Sequence, residues 1–304
     1  MIAEGTSGHS ILGVGELLWD CFGDVRRPGG APANVAFHAA QLGARGDVCS
    51  RVGADDDGDA LVAALDDSGV GTKLIQRDAF RPTGTVTVDD TEPDHPKYTI
   101  HEEVAWDYIE FDGALRAAAE RASAICFGTL AQRSPPSRDA IHRLLSGAPD
   151  ALILYDVNLR PPWYERATIE RSLDRCAVVK LNEDEAKQVA DLFDFGVSEA
   201  AVCGERLLSR FDIQLVCITR GPKGCLLVTD EARVEQRGHR VEVVDAVGAG
   251  DAFTAALMCG LLWKWPLAAV ARFANEVGGL VASRKGAMPD LGVELQALRA
   301  RFQG

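Results

Sequence analysis

The sequence predicts an α/β protein, a doubly wound and mostly parallel sheet with helices on both faces. Two observations predict it. Near-continuous apolar runs recur at 123–127, 151–156, 178–181 and 215–219, as expected of strands buried on both sides. Helical stretches lie between them, such as 137–145 and 184–191. The composition agrees, with 47% hydrophobic and 25% charged residues in a chain of 304.

The elements follow in chain order. Residues 10–14 are a strand candidate, and 15–30 read as a loop. Residues 33–42 read as a helix in which Ala, Val and Phe surround Asn34 and His38. A strand at 48–52 precedes a helix at 57–68 that stops at Gly69. The segments 83–89 and 97–100 alternate β-branched with polar residues and are punctuated by Pro82, Pro93 and Pro96. That alternation suits exposed antiparallel strands outside the main sheet. After the four buried strands, 225–229 and the stretch around 241–244 read as a late antiparallel pair. Helices at 251–262 and 266–283 close the pattern.

Bulk charge restricts the partners. The chain carries 32 basic and 45 acidic residues, a formal net charge of −13. Such a surplus repels nucleic-acid backbones and anionic membrane surfaces, so neither is expected as a partner. No apolar stretch is long enough to span a bilayer, and the first ten residues lack a secretory signal pattern. The eight cysteines show neither C-x-x-C pairing nor zinc spacing, and several sit inside apolar runs. They read as buried, reduced thiols, which implies a cytoplasmic setting.

The richest chemistry lies in Asp245-Ala246-Val247-Gly248-Ala249-Gly250-Asp251-Ala252-Phe253. Glycines let the backbone approach a ligand, and the segment runs directly into an apolar helix. Free N–H groups and the positive helix end therefore form an anion hole at Gly248, Ala249 and Gly250. Asp251 beside that hole can accept a hydroxyl proton, or it is simply the helix cap. Two common nucleotide signatures are missing. There is no G-x-x-x-x-G-K-[ST], and Leu18 replaces the third glycine after Gly13-Val14-Gly15.

That segment resembles the C-terminal signature of the ribokinase-like (PfkB) sugar kinase family. Gly29-Gly30-Ala31-Pro32-Ala33-Asn34-Val35-Ala36 resembles its N-terminal signature. Lys180-Leu181-Asn182-Glu183-Asp184-Glu185, Thr219-Arg220-Gly221-Pro222-Lys223-Gly224 and Arg284-Lys285-Gly286-Ala287 also look like the family, so the likeness covers nearly the whole chain. It implies a ribokinase-like three-layer sandwich over residues 1–304, as one domain with a small β lid from about 15–30 and 82–105. It implies transfer of the γ-phosphoryl group of ATP to a sugar hydroxymethyl, with Mg²⁺ and K⁺. Carried over by position, Asp251 is the base, and the amides of Gly248, Ala249 and Gly250 stabilise the phosphoryl oxygens. Asn182 and Glu185 organise Mg²⁺ through water. Thr219, Gly221, Gly224 and Asn275 hold the nucleotide, and Asp245 with the Val247 carbonyl holds the monovalent cation.

At the sugar end, Gly29 and Gly30 permit close approach of a polyol, and Asn34 offers a donor and an acceptor. Asp20 resembles the aspartate that holds sugar hydroxyls in fructokinase-like members. Asp156-Val157-Asn158-Leu159-Arg160 resembles the D-x-N-x-R segment of fructokinases and 2-keto-3-deoxygluconate kinases. Asn158 is a substrate candidate there. Arg160 suits a phosphate or a substrate carboxylate, or is a solvated surface residue. Gln132 and Arg133 are candidate sugar readers. His101 and Trp106 either close the lid or pack. The resulting expectation is a fructokinase-like enzyme binding a sugar and ATP, with a homodimer through the lid as an option. The rivals are a kinase for 2-keto-3-deoxygluconate, ribose or a nucleoside, a silent sugar-binding module, and a dinucleotide-dependent oxidoreductase.

Overall fold

A computed structural model describes residues 8–89, 97–197 and 199–302. Pro93 and Pro96 lie outside the described residues. The first half contains β1 (Ser10–Val14), β2 (Leu18–Phe22), β3 (Val25–Gly29), α1 (Ala31–Gln41), β4 (Arg45–Gly53), α2 (Asp56–Asp67), β5 (Gly71–Asp78), β6 (Gly84–Asp89), β7 (Lys97–Ile100), α3 (Gly113–Ala119), β8 (Ala124–Gly128) and α4 (Pro135–Ser146). The second half contains β9 (Leu152–Asp156), α5 (Arg166–Leu173), β10 (Val178–Asn182), α6 (Glu183–Leu192), α7 (Ala200–Arg210), β11 (Leu215–Thr219), β12 (Gly224–Val228), β13 (Arg233–Arg237), α8 (Ala249–Leu262), α9 (Leu267–Ala282) and α10 (Gly292–Ala300).

Nine strands form the large sheet, in the order β13-β12-β11-β10-β9-β8-β1-β4-β5. Neighbouring strands are parallel except in the pairs β11–β12 and β12–β13. Successive residues of each buried strand enter opposite cores. On β8, Ile125 and Phe127 pack with α4, α5 and α6, while Ala124 and Cys126 pack with α1, α8 and α9. The fold is therefore the three-layer α/β sandwich that the apolar runs predict. Seven of the eight cysteines are buried and all eight are free, with Cys21 half-buried.

A second, four-stranded sheet has the order β3-β2-β6-β7. The segment read as a loop at 15–30 supplies two of its strands. Its hairpin pairs Asp20 with Arg27, and β2 then pairs in parallel with β6. The expected antiparallel pairing holds for β6 and β7. Trp106 is fully buried in the large core and stacks under the Arg133 guanidinium 4.0 Å away. It packs rather than closing over the site.

The late antiparallel pair is placed differently from the sequence reading. The partner of β12 is β13, whose residues Arg-Val-Glu-Gln-Arg face solvent on one side and carry no apolar run. Val243 and Val244 instead lie in an exposed loop, each 61% accessible. Val243, with Val241, belongs to the wall of a cleft described below.

Local chemistry explains the helix that carries Asn34. Pro32 sits at its second residue, where a missing N–H costs nothing, and Gly30 begins it at a φ of 114°. The helix lies close against β4, because a side chain at Gly46 would collide with the Ala36 carbonyl oxygen. The expected outcome for Gly46→Ala is a loss of about 3 kcal/mol in urea unfolding, since backbone rather than a flexible side chain must move.

Candidate active site

The carboxyl ends of β1, β8, β9, β10 and β11 open on one edge of the large sheet, where open α/β sheets place ligands. Helix α8 points its N-terminus at the same edge. Gly248 begins it in the left-handed conformation, with a φ of 78°, and a side chain there would press on Ala287. The amides of the first turn have no acceptor within the helix, and although Ala249 N–H donates to the Ala246 carbonyl at 3.3 Å, the others and the helix dipole make a positive concavity. Ala249, Gly250 and Asp251 are the first three residues of that turn.

Asp251 is fixed from the other half of the chain. Asn34 Nδ2 donates to its Oδ2 at 2.7 Å, across 217 positions of sequence. Burial pushes the Asp251 carboxyl up to about 6. The Asn34 hydrogen bond and the charges of Lys180 and Arg160 oppose that rise, and the Asp156 carboxylate adds to it.

A buried ion pair lies beneath. Lys180 Nζ donates to both oxygens of Asp156, at 2.9 and 2.8 Å. Thr254 of α8 donates to the same carboxylate at 2.8 Å. Burial pulls the Lys180 ammonium down, but the Asp156 and Glu185 carboxylates outweigh it and hold the group charged. Sequence reasoning assigned no role to Lys180, Asp156 or Thr254. Lys180 in the middle of an apolar strand was the available signal, because such a charge needs a partner.

On the side of the small sheet, Asp20 projects from β2, and a side chain at Gly29 would collide with its carboxylate. Burial pushes Asp20 up to about 6, against the pull of Arg160 and Arg27. Arg160 is exposed after β9, and its charge reaches Glu16, Asp20 and Asp251 alike. Asn158 stands beside it at a φ of 39°. Asp20, Gly29, Gly30, Asn34, Asn158, Arg160 and Asp251 are thus gathered at one edge. Gln132 is not among them. It is fully buried and bonded to the Gly128 carbonyl, Ser172 and His142, so its amide has no capacity facing the edge. Arg133 likewise clamps Asp107 and the His101 carbonyl.

On the far side of α8 lies a cleft of about 460 Å³, in the size range of small-molecule sites. Thr219, Gly221, Gly224 and Asn275 line it, with Val241 and Val243 from the exposed loop and Ala249 and Gly250 from α8. Asn275 donates to Cys225 Sγ at its wall. Asn182 and Glu185 form a reciprocal cap on α6. Asn182 accepts the amides of Asp184 and Glu185, and Glu185 accepts those of Asn182 and Leu159. Each Glu185 oxygen thus has one amide donor and keeps a second lone pair, which can receive a hydrogen bond from a water that holds a cation. Asp245 accepts the amides of Val247 and Gly286, which ties the glycine loop to the segment after α9. Each of its oxygens keeps a second lone pair for a cation, although the Arg27 guanidinium already lies 3.7 Å from Oδ2. Among the described residues, no group of three or more His, Cys, Asp or Glu side chains could hold a metal ion.

Residues 9–292 match the family described as pfkB family carbohydrate kinase. The chain belongs to that family. It is a carbohydrate kinase, a phosphotransferase with an alcohol acceptor. An uncharacterized sugar kinase of Pyrococcus horikoshii, PH1459, is 31% identical over 91% of each chain, and its crystal structure superposes with a TM-score of 0.84 over 97% of this chain and all of that one. A fructokinase of Vibrio alginolyticus is 30% identical over 90% of this chain and 92% of its own. A Vibrio cholerae fructokinase double mutant, solved with fructose, ADP and potassium ion bound, is 26% identical with a TM-score of 0.82, covering 97% of this chain and 99% of that one. No helix among the described residues of this kinase is long and apolar enough to cross a membrane.

Lys180→Met would leave the Asp156 carboxylate buried without its ion partner. The expected result is a loss of about 3 kcal/mol in urea unfolding, recovered in large part by Lys180→Met combined with Asp156→Leu.

Proposed function

We propose that this kinase phosphorylates a neutral ketohexose, fructose, at a primary hydroxyl, with ATP as donor. The observation that carries this reading is the Asn34–Asp251 pair, which sits at the mouth of α8 with acidic groups on one side and the 460 Å³ cleft on the other. Asp251 accepts the proton of the attacking hydroxyl, and its raised pKa of about 6 leaves it mostly ionised but still basic at neutral pH. The first-turn amides of Gly248, Ala249 and Gly250 receive the charge on the transferring phosphoryl oxygens. Thr219, Gly221, Gly224 and Asn275 hold the nucleotide. Asp20, with Gly29, Gly30, Asn34, Asn158 and Arg160, orients the sugar.

Mg²⁺, when bound, would neutralise charge on the nucleotide phosphates, and Asn182 and Glu185 would organise it through water. Asp245 and the Val247 carbonyl would hold a monovalent cation beside the anion hole. The Vibrio cholerae relative, with fructose, ADP and potassium ion bound, supports this set of ligands. A neutral sugar suits the acceptor end better than a sugar acid does. Three carboxyl groups, Glu16, Asp20 and Asp251, already share the charge of Arg160.

ADP release measured over a panel of fructose, ribose, 2-keto-3-deoxygluconate and a nucleoside, with K⁺ or Na⁺, tests the reading. The highest kcat/KM is expected for fructose in K⁺, and Asp251→Asn should lower kcat at least about a hundredfold while still binding the sugar. Preference for the sugar acid, or near-normal turnover by Asp251→Asn, would contradict it.

A further inference from the structure

One buried carboxyl at this edge has a task that neither the motifs nor the roles above absorb. Glu16 lies between β1 and β2 and is 4% exposed. Leu17 and Trp19 turn into the cluster under α1, whereas Leu18 packs with Val86 and Val88 of the small sheet. The alternation gives Glu16 the parity of Leu18 and Asp20. Its main-chain carbonyl lies against Gly30, so closely that a side chain there would collide with it.

The surroundings of its side chain are specific. Its own amide and that of Ala31, the first residue of α1, face the carboxyl, and the charges of Arg160 and Asp251 reach it. Glu16 Oε2 nevertheless has no hydrogen-bond partner among the described residues, although it is buried. Asn34 Oδ1 is in the same condition, while the Nδ2 of that residue holds Asp251. Two buried acceptors without donors therefore sit in the immediate neighbourhood of Asp251. Buried polar atoms are paired in nearly all folded proteins, so an orphan of this kind calls for a missing partner.

We propose that Glu16 is a substrate-binding residue, and that its Oε2 pairs with a secondary hydroxyl of the acceptor close to the hydroxymethyl group that Asp251 addresses. This rests on the polyol-kinase reading above and deepens it. A hydroxyl is the right partner because it both donates and accepts. Burial pushes the Glu16 carboxyl up to about 7, so both of its protonation states are populated near neutral pH, and a hydroxyl can pair with either. A substrate carboxylate pairs only with the protonated form. Glu16 and Asp20 would then grip two hydroxyls of the same sugar, so that shape and hydroxyl placement, rather than charge, select the acceptor.

The alternative is a purely structural role, in which Glu16 does no more than receive the Ala31 amide. Kinetics of Glu16→Gln and Glu16→Ala distinguish the two. The substrates are the acceptor that the wild type phosphorylates best and the monodeoxy derivatives of that acceptor. Glu16→Ala is expected to raise KM for the parent acceptor at least tenfold with KM for ATP within twofold of wild type. Against one deoxy derivative, the one lacking the hydroxyl that Glu16 holds, wild type and variant should agree within twofold in kcat/KM. Glu16→Gln keeps the shape and an acceptor oxygen and should fall between them. It carries the same comparison if the alanine variant does not fold. An equal penalty on every derivative, or no penalty on any, would overturn the proposal. If the best acceptor is not fructose, the ketohexose reading fails, while the role of Glu16 is still decided on the derivatives of that acceptor.

Discussion

The hydrogen bond between Asn34 and Asp251 is the contact on which the rest of the site depends. It joins the first turns of α1 and α8, which come from opposite ends of the chain. Both helices pack on the same face of the large sheet, and both bring an N-terminal turn to its edge. The bond holds a carboxylate at the positive end of a helix, next to amides free to receive another anion. Neither helix could supply this alone. An aspartate in the first turn of α8 would otherwise rotate toward solvent, and Asn34 would be an amide buried among Ala33, Val35 and Ala36 without a partner.

Charge explains why the arrangement is stable. The chain has a net charge of −13, and carboxyl groups crowd this edge. Burial pushes Glu16, Asp20 and Asp251 upward, and the exposed Arg160 offsets all three from the rim, joined by Arg27 at Asp20 and by Lys180 at Asp251. Beneath them Lys180 is locked on Asp156, a buried ion pair with no net charge. A protein that repels polyanions at long range can thus accept a nucleotide locally. Helix-end amides supply the field, and they do not change the balance of the surface.

Much of this was legible in the sequence, for identifiable reasons. The parallel strands announce themselves because burial on both faces demands unbroken apolar runs, as at Ala124–Gly128 and Leu215–Thr219. The glycine loop and Asn34 announce themselves because glycines and a polar residue in an alanine-rich helix are costly without a task. Other features had no such signal. Strand β13 is polar and half-exposed, so the adjacent valines drew the assignment toward what is a loop. Gln132 follows a strand at the correct edge, yet its amide is consumed by Ser172 and His142, which approach from α5 and α4. Strands β2 and β3 are short, and the pairing of β2 with β6 is not local. Glu16 looked like one more residue of a loop until its depth and its unpaired oxygen were visible.

The central claim is that Asp251 is the proton acceptor and that Asn34 sets its basicity. The pH dependence of kcat/KM, compared between the wild type and Asn34→Ala, tests it most directly. The hydrogen bond from Asn34 favours the charged carboxylate, so its loss raises the Asp251 pKa while Asp156, Lys180 and Arg160 keep their positions. The expected result is a wild-type acid limb with a midpoint near 6 and an upward displacement of that midpoint in the variant. An acid limb that stays in place, or moves to lower pH, would contradict it.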